Sequence, residues 1–108
     1  MVAFNVVKMR VKSGFEEAFL AMNSDPGHEV DYGLRKAHLI RTGDREYCFM
    51  GEWDSMDDLV AARPAMIRDL DRVRHMLEDL GGGLGVTDAV SGEVVATMKD
   101  RRLEFWSG

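Results

Sequence analysis

Three side chains in this sequence are of types that could hold a reacting oxygen: the amide of Asn5, the imidazole of His38 and the indole of Trp53. Each can donate a hydrogen bond, and a neutral donor or a histidine beside an ionising hydroxyl stabilises the anion that forms. Each also has an ordinary structural role. Asn5 would serve as a polar core residue bonded to backbone, His38 as a packed or edge residue, and Trp53 as an indole packed under a helix.

The sequence shows no other pattern of reactive side chains that is typical of a catalytic or metal site. The 3 His and 1 Cys lack metal-ligand spacing, and no Ser-His-Asp arrangement is apparent. Cys48 lies within an apolar run, which predicts a buried, inert thiol. Tyr32 and Tyr47 could each donate a hydroxyl. His28 falls in a predicted loop and His75 at a predicted helix edge, so we expect neither a metal nor a cofactor.

Composition and charge narrow the class of protein. The chain has 108 residues, of which 45% are hydrophobic and 31% charged, as is typical of one globular domain. A formal net charge of −5 disfavours binding to nucleic acid, because a phosphate-binding surface needs a basic excess. No run is long and apolar enough to span a bilayer, and no signal-peptide pattern opens the chain. We therefore expect a cytoplasmic protein that binds neither nucleic acid nor membrane.

Residues 33–55 predict a β-hairpin that positions two of the candidates. Residues 34–42 and 46–53 are rich in apolar, β-branched and aromatic side chains, and Gly43-Asp44-Arg45 between them is typical of a turn. Side chains alternate across a strand. The second strand therefore holds Tyr47, Phe49, Gly51 and Trp53 on one face, and Cys48 and Met50 on the other. Both faces are apolar in the middle, so both need cover.

The segment before the hairpin predicts one strand and one helix. Residues 3–12 alternate in polarity as a strand that carries Asn5. Ser13 and Glu16 have the spacing of a capping box, which predicts a helix start. The apolar residues at helical spacing are Phe15, Ala18, Phe19 and Met22. Residues 23–32 are then a long polar loop, either a plain solvated connection or the mouth of a site.

The segment after the hairpin predicts a divided helix. Ser55 and Asp58 form a second capping box. Because proline removes a backbone donor and clashes within a helix, Pro64 predicts a kink at Arg63. A second helical part then continues to about Leu80.

The remaining residues predict one irregular strand and a tail. The glycine-rich run 81–85 follows a helix, whereas phosphate loops follow a strand, so it indicates a helix stop. Residues 86–99 predict the last strand, bent at a Ser91-Gly92 turn. Residues 1–99 would then form a single domain, and residues 100–108 a charged C-terminal tail whose aromatic residues could pack on a partner.

The order β-α-β-β-α-β predicts an α+β, ferredoxin-like βαββαβ fold. Right-handed crossovers place the first and third strands at the centre of an antiparallel sheet, with the helices on one face. Two helices cannot cover the other apolar face. We therefore expect a homodimer that pairs through this sheet face.

Several segments resemble one family. The run VKMRVKSGFEEAF, the strand end GEWDS and the Pro-interrupted helix are similar to those of the antibiotic biosynthesis monooxygenases, in the dimeric α/β-barrel superfamily, over residues 2–98. The resemblance implies two ferredoxin-like subunits with facing sheets.

That family includes cofactor-independent monooxygenases of quinol- or anthrone-like aromatics, haem-degrading enzymes and proteins without known activity. At the places where the haem degraders carry Asn, Trp and His, this chain has Val7, Ala61 and Arg72. The resemblance therefore implies oxygenation of a small aromatic ligand without haem. The alternative is a non-catalytic dimer that binds a small molecule or a partner protein.

We expect sedimentation equilibrium at micromolar protein concentration to give twice the mass of one chain, because the second sheet face needs cover. A well-folded single subunit under these conditions would contradict the shared-barrel architecture.

Overall fold

The structure is a computed structural model that describes residues 1–23 and 33–105, the last three by their backbone alone. Of the predicted loop 23–32, only Asn23 is described, so His28 and Tyr32 lie outside the described residues. Residues 106–108 also lie outside them. The elements are β1 (Ala3–Arg10), α1 (Glu16–Asn23), β2 (Leu34–Gly43), β3 (Glu46–Trp53), α2 (Met56–Val73), a 3-10 turn (Arg74–Met76), β4 (Asp88–Glu93), β5 (Ala96–Lys99) and β6 (Arg102–Phe105).

A four-stranded sheet in the order β2-β3-β1-β4 forms the body of the protein, and its neighbouring strands are antiparallel. The predicted ferredoxin-like α+β fold is confirmed, with the first and third strands at the centre. In the register of this sheet, Asn5 lies opposite Gly51 on one side and opposite Ser91 on the other. His38 lies opposite Met50.

Both helices pack on the face that carries Asn5. The cluster beneath α1 and the 3-10 turn contains Met9, Val11, Phe19, Tyr47, Met76 and Leu77. The cluster beneath the start of α2 contains Ala3, Trp53, Leu59 and Ala62. Burying one large apolar side chain contributes roughly 1.5–3 kcal/mol, so Trp53, Phe19 and Leu59 are the main anchors of the helices on the sheet.

The opposite face of the sheet carries apolar side chains with no helix of the described residues above them. Ile40 is 41% exposed and Val90 65% exposed on this face. Phe4, Val6 and Met50 lie between them in the register. The apolar character that the sequence predicted for both faces is present, and the pairing of two such faces stays a prediction.

The start of α1 differs from the expected capping box. The helix begins at Glu16 rather than after Ser13, and Gly14 lies between them with φ of 86°. Because this left-handed conformation suits glycine and turns the chain, Ser13 is separated from the helix that it was expected to cap. Phe19 is the buried anchor of α1, whereas Phe15 and Ala18 are exposed.

Helix α2 also differs from prediction, since Met56–Val73 is one helix that includes Pro64. The backbone donor that proline lacks would have bonded to the carbonyl of Val60, one turn earlier. Val60 is on the exposed side of the helix, where that carbonyl is accessible to solvent. The continuous helix is therefore compatible with Pro64.

The helix ends before Leu80 because the following backbone pairs with β1 instead. The Lys12 amide donates to the Met76 carbonyl at 2.7 Å and the Glu78 amide to the Arg10 carbonyl at 2.8 Å. The glycine run is consequently a loop after this pairing rather than the end of a helix. Leu80 donates to the Gly85 carbonyl at 2.8 Å across it.

The last predicted strand is two strands. β4 runs straight through Ser91 and Gly92, where a turn was expected, because it pairs continuously with β1. β5 and β6 form a separate two-stranded hairpin. Asp100 and Arg101 at its turn have φ of 51° and 64°, as two-residue hairpin turns require. The expected boundary between the domain 1–99 and the tail 100–108 lies at the turn of this hairpin. Residues 102–105 of the tail form β6.

We expect Ser55→Ala to lower the free energy of unfolding by about 1 kcal/mol, and Tm by about 4 °C. The Asp58 amide donates to Ser55 Oγ at 3.1 Å, and this bond at the start of α2 would be lost. Ser13→Ala is the matched control, because the exposed Ser13 does not cap α1. Equal destabilisation of the two variants in thermal unfolding would contradict this assignment of caps.

Candidate active site

A buried hydrogen bond joins two of the three sequence candidates. Trp53 Nε1 donates to Asn5 Oδ1 at 2.7 Å. Trp53 is 1% exposed and Asn5 6% exposed, and Asn5 is the buried polar residue of the described core. In the pairing of β1 with β3, Ala3 lies opposite Trp53. Asn5 follows Ala3 by two residues and therefore lies on the same face. The pair therefore sits at the centre of the sheet, beneath α2.

The donor on Trp53 determines which way the Asn5 amide points. An indole N–H can only donate, so the carbonyl oxygen of Asn5 must face Trp53. The Asn5 NH₂ group then points toward α2, where it lies 3.7 Å from the Sδ atom of Met66. A thioether sulfur is a weak acceptor. The amide thus presents a donor that a ligand oxygen would satisfy better than Met66 does.

Gly51 provides the space for this hydrogen bond. A Cβ atom at Gly51 would lie 2.5 Å from Asn5 Oδ1 and 3.0 Å from Trp53 Nε1. Real Cβ atoms do not lie closer than 3.0 Å to another atom, so Asn5 Oδ1 would have to move. The glycine between Phe49 and Trp53 is therefore required by the side-chain pair and not by a turn.

A cavity of about 630 Å³ lies between the sheet and α2, above this pair. Its volume is in the range of small-molecule sites. The lining is mostly apolar and includes Phe19, Leu39, Phe49, Met66 and Leu70, with Asn5 and Trp53 among them. The site is suited to a flat apolar ligand with one oxygen placed against the Asn5 amide.

Polar groups also line this cavity. Arg63 on α2 donates from Nη2 to Ser91 Oγ on β4 at 3.3 Å. Asp69, Arg72 and Asn23 are the other charged or amide residues of the lining. The cavity therefore has an interior donor at Asn5 and a second polar group where α2 meets β4.

His38 does not share this site. It is exposed, and its partner in the sheet is Met50, whose face is opposite to that of Asn5. The side-chain alternation of β2 instead places Ala37 and Leu39 in the cavity. The structure therefore brings Asn5 and Trp53 together and separates His38 from them.

Tyr47 lies beside the site and has a structural role. Its hydroxyl donates to Glu16 Oε2 at 2.5 Å and accepts from Arg41 Nη2 at 2.9 Å. The hydrogen bond to Glu16, together with burial, raises the pKa of Tyr47 above its ordinary value. Tyr47 therefore stays protonated and ties α1 to the hairpin. His75, the other described histidine, packs edge-on against Phe15 on the exterior.

Within residues 1–23 and 33–105, no three His, Cys, Asp or Glu side chains come together as a metal site would require. Cys48 is a buried free thiol, as its apolar neighbours predicted. Over the same part of the chain, the helices include none long and apolar enough to cross a membrane.

The fold is shared with proteins of known structure. A protein from Chloroflexus aurantiacus that is assigned to the antibiotic biosynthesis monooxygenases matches with a TM-score of 0.65 at 15% identity, over 88% of this chain and 94% of its own. SnoaB from Streptomyces nogalater, a cofactor-independent oxygenase, matches with a TM-score of 0.64 at 15% identity, over 92% of this chain and 98% of its own.

A third similar structure is the monooxygenase ActVA-Orf6 of Streptomyces coelicolor, in complex with nanaomycin D. Its TM-score is 0.57 at 20% identity, over 85% of this chain and 86% of its own. No family model matches the chain, and no curated protein does. The resemblance to antibiotic biosynthesis monooxygenases that the sequence suggested is confirmed as a shared fold.

The sequence did not single out Gly51, Met66, Arg63 or Ser91 as site residues. Gly51 was placed on the correct face, two residues before Trp53, and this spacing is the signal that could have found it. Arg63 and Ser91 are 28 positions apart and meet only because α2 packs beside β4.

We expect Gly51→Ala to lower the free energy of unfolding by about 2 kcal/mol, because the added methyl group displaces the Asn5–Trp53 pair. Gly92→Ala is the matched control in the edge strand β4, since its Cβ would meet no atom within 4 Å. Denaturant unfolding of the two variants measures the difference. If Gly51→Ala is as stable as Gly92→Ala, the close packing around the pair is wrong.

Proposed function

We propose that this protein is a cofactor-independent monooxygenase that acts on a quinol- or anthrone-like aromatic compound. The observation that carries the proposal is the buried Asn5 amide, held by Trp53, with its donor directed into an apolar cavity of about 630 Å³. Such a substrate needs an apolar cavity and one donor for its oxygen, and little else from the protein.

The reaction divides into steps that the substrate can perform with O₂ as the oxidant. The substrate hydroxyl or enol loses a proton to water, and the Asn5 NH₂ group stabilises the resulting oxyanion. The anion transfers one electron to O₂, and the two radicals combine into a peroxide on the ring carbon. Loss of the remaining C–H proton breaks the O–O bond and leaves a carbonyl. The hydroxide released takes up a proton, so a ring CH₂ and O₂ become C=O and water.

Each residue has a defined part in this scheme. Asn5 is the catalytic residue, because its amide contacts the substrate oxygen. Trp53 is a positioning residue, since its N–H holds the Asn5 carbonyl and leaves the NH₂ group free to face the ligand. The apolar side chains around Asn5 lower the local dielectric constant, which strengthens the hydrogen bond to the anion. His38 has no part in the proposal because it lies on the other face of the sheet.

The shared fold supports the proposal. SnoaB is a cofactor-independent oxygenase, and ActVA-Orf6 is a monooxygenase whose structure holds nanaomycin D. The proposal includes a homodimer formed through the open sheet face, where Ile40 and Val90 are exposed. The proposal also includes the cytoplasmic location that the sequence predicts.

A second candidate is a non-catalytic protein that binds a small aromatic molecule in the same cavity. It is favoured by the absence of histidine among the described residues of the lining, which leaves Asp69 as the ionisable group able to accept a proton there. Under this alternative the cavity would bind the aromatic compound without any chemical change.

We expect the purified protein to consume O₂ with at least one member of a panel of hydroquinones and anthrones, at a rate above that of buffer. Asn5→Leu keeps the side-chain shape but removes the donor, so kcat/KM should fall by about 100-fold. Trp53→Phe should reduce kcat/KM less, because the Asn5 amide remains but is no longer oriented. Oxygen electrode traces and product absorbance provide the measurement.

The control variant is Arg68→Ala, which changes an exposed residue of α2 that does not line the cavity. Its activity should equal that of the wild type. Binding without turnover for the whole panel would reject the enzyme in favour of the binding protein. Full activity in folded Asn5→Leu would remove Asn5 from the mechanism.

A further inference from the structure

A second polar group lines the cavity at the side where α2 meets the edge strand β4. It consists of Arg63 and Ser91, whose Nη2 and Oγ atoms are 3.3 Å apart. Both atoms can donate to a ligand, since the guanidinium carries five N–H donors and the serine hydroxyl rotates. Two donors at this spacing match the two oxygens of one carboxylate, which accepts from both at once.

The charge of the lining favours an anion. Among the described residues, the ionisable side chains of the lining are the guanidinium groups of Arg63 and Arg72 and the carboxylate of Asp69, and their formal charges sum to one positive charge. The whole chain, in contrast, has a formal net charge of −5. The hydrogen bond of Arg63 to Ser91 is to a neutral hydroxyl, and no ion pair joins Arg63 to a carboxylate of residues 1–23 or 33–102.

The position of Ser91 relates this group to the Asn5 amide. Ser91 and Asn5 are direct partners in the pairing of β4 with β1, and both face α2. Neighbouring strands are about 4.8 Å apart. On α2, Arg63 precedes Met66 by one turn, and Met66 is the residue that the Asn5 NH₂ group contacts. The two polar groups are therefore about one aromatic ring apart.

We infer that Arg63 and Ser91 bind a carboxylate of the substrate, so that the preferred ligand is an aromatic acid. Its carboxylate would lie at the Arg63–Ser91 pair while an oxygen of its ring system accepts from Asn5. This inference rests on the proposed function, whose site it shares, and specifies the substrate class. Arg63 and Ser91 are specificity-determining residues in this arrangement, because they contact a group of the ligand that does not react.

Binding of an unreactive ligand tests the inference apart from turnover. Anthraquinone-2-carboxylate and anthraquinone-2-carboxamide have nearly the same shape, differ by one charge and cannot be oxidised at the ring carbonyl. Isothermal titration calorimetry with the full chain should give a Kd about tenfold lower for the carboxylate. The preference should shrink as the salt concentration rises, because Arg63 and Ser91 are exposed and salt screens an exposed ion pair.

Arg63→Gln should remove this preference and leave the affinity for the carboxamide unchanged. Arg68→Gln, a loss of the same charge from the same helix but outside the cavity lining, should retain it. Ser91→Ala should reduce the preference about threefold.

Equal affinity of the wild type for the two ligands would overturn the inference, as would retention of the preference in Arg63→Gln. Neither result bears on oxygenation of neutral anthrones, which tests the proposed function separately. A carboxylate preference without any turnover would keep the inference about Arg63 and reject the oxygenase.

Discussion

A single buried amide constrains the centre of this protein. Asn5 lies in the apolar layer between sheet and helices, where a polar group without partners is costly, by about 1–3 kcal/mol. Trp53 satisfies its carbonyl, and this requires a glycine at position 51 to leave room for the bond. Among the described residues, the partner of the NH₂ group is the thioether of Met66. The packing of one strand pair thus creates a fixed hydrogen-bond donor at the base of an apolar cavity.

The cavity itself follows from how the helices are attached. α2 is anchored at its start, where Leu59 and Ala62 pack with Ala3 and Trp53. The other cluster lies toward α1 and the 3-10 turn, around Phe19 and Leu77. Between these two anchored regions the side chains of the sheet and of α2 do not fill the space, and the cavity lies there. A core that is well packed at both ends can therefore keep an open volume in the middle.

The helix end near Leu80 and the turn at Ser91-Gly92 were predicted wrongly for one shared reason, which is that backbone pairing at the ends of β1 outweighed local sequence signals. Leu77 lies outside the helix and forms an antiparallel β-bridge with Val11. Ser91 and Gly92 remained in a strand because both pair with β1. Pro64 did not divide α2, because the carbonyl that it leaves unbonded is on the exposed side. Propensity is a weak prior, and long-range hydrogen bonds override it where an edge is available.

The sequence by itself determined the order of the elements of the main sheet, the two central strands and the shared face of Gly51 and Trp53, since these depend on periodicity and short connections. It could not decide that His38 is excluded from the site, since a strand pattern marks two faces but does not say which one receives the helices. Nor could it predict the contact between Arg63 and Ser91 or the cavity above Asn5. Those features depend on distances between residues far apart in the chain, and only the packing of α2 on the sheet sets them.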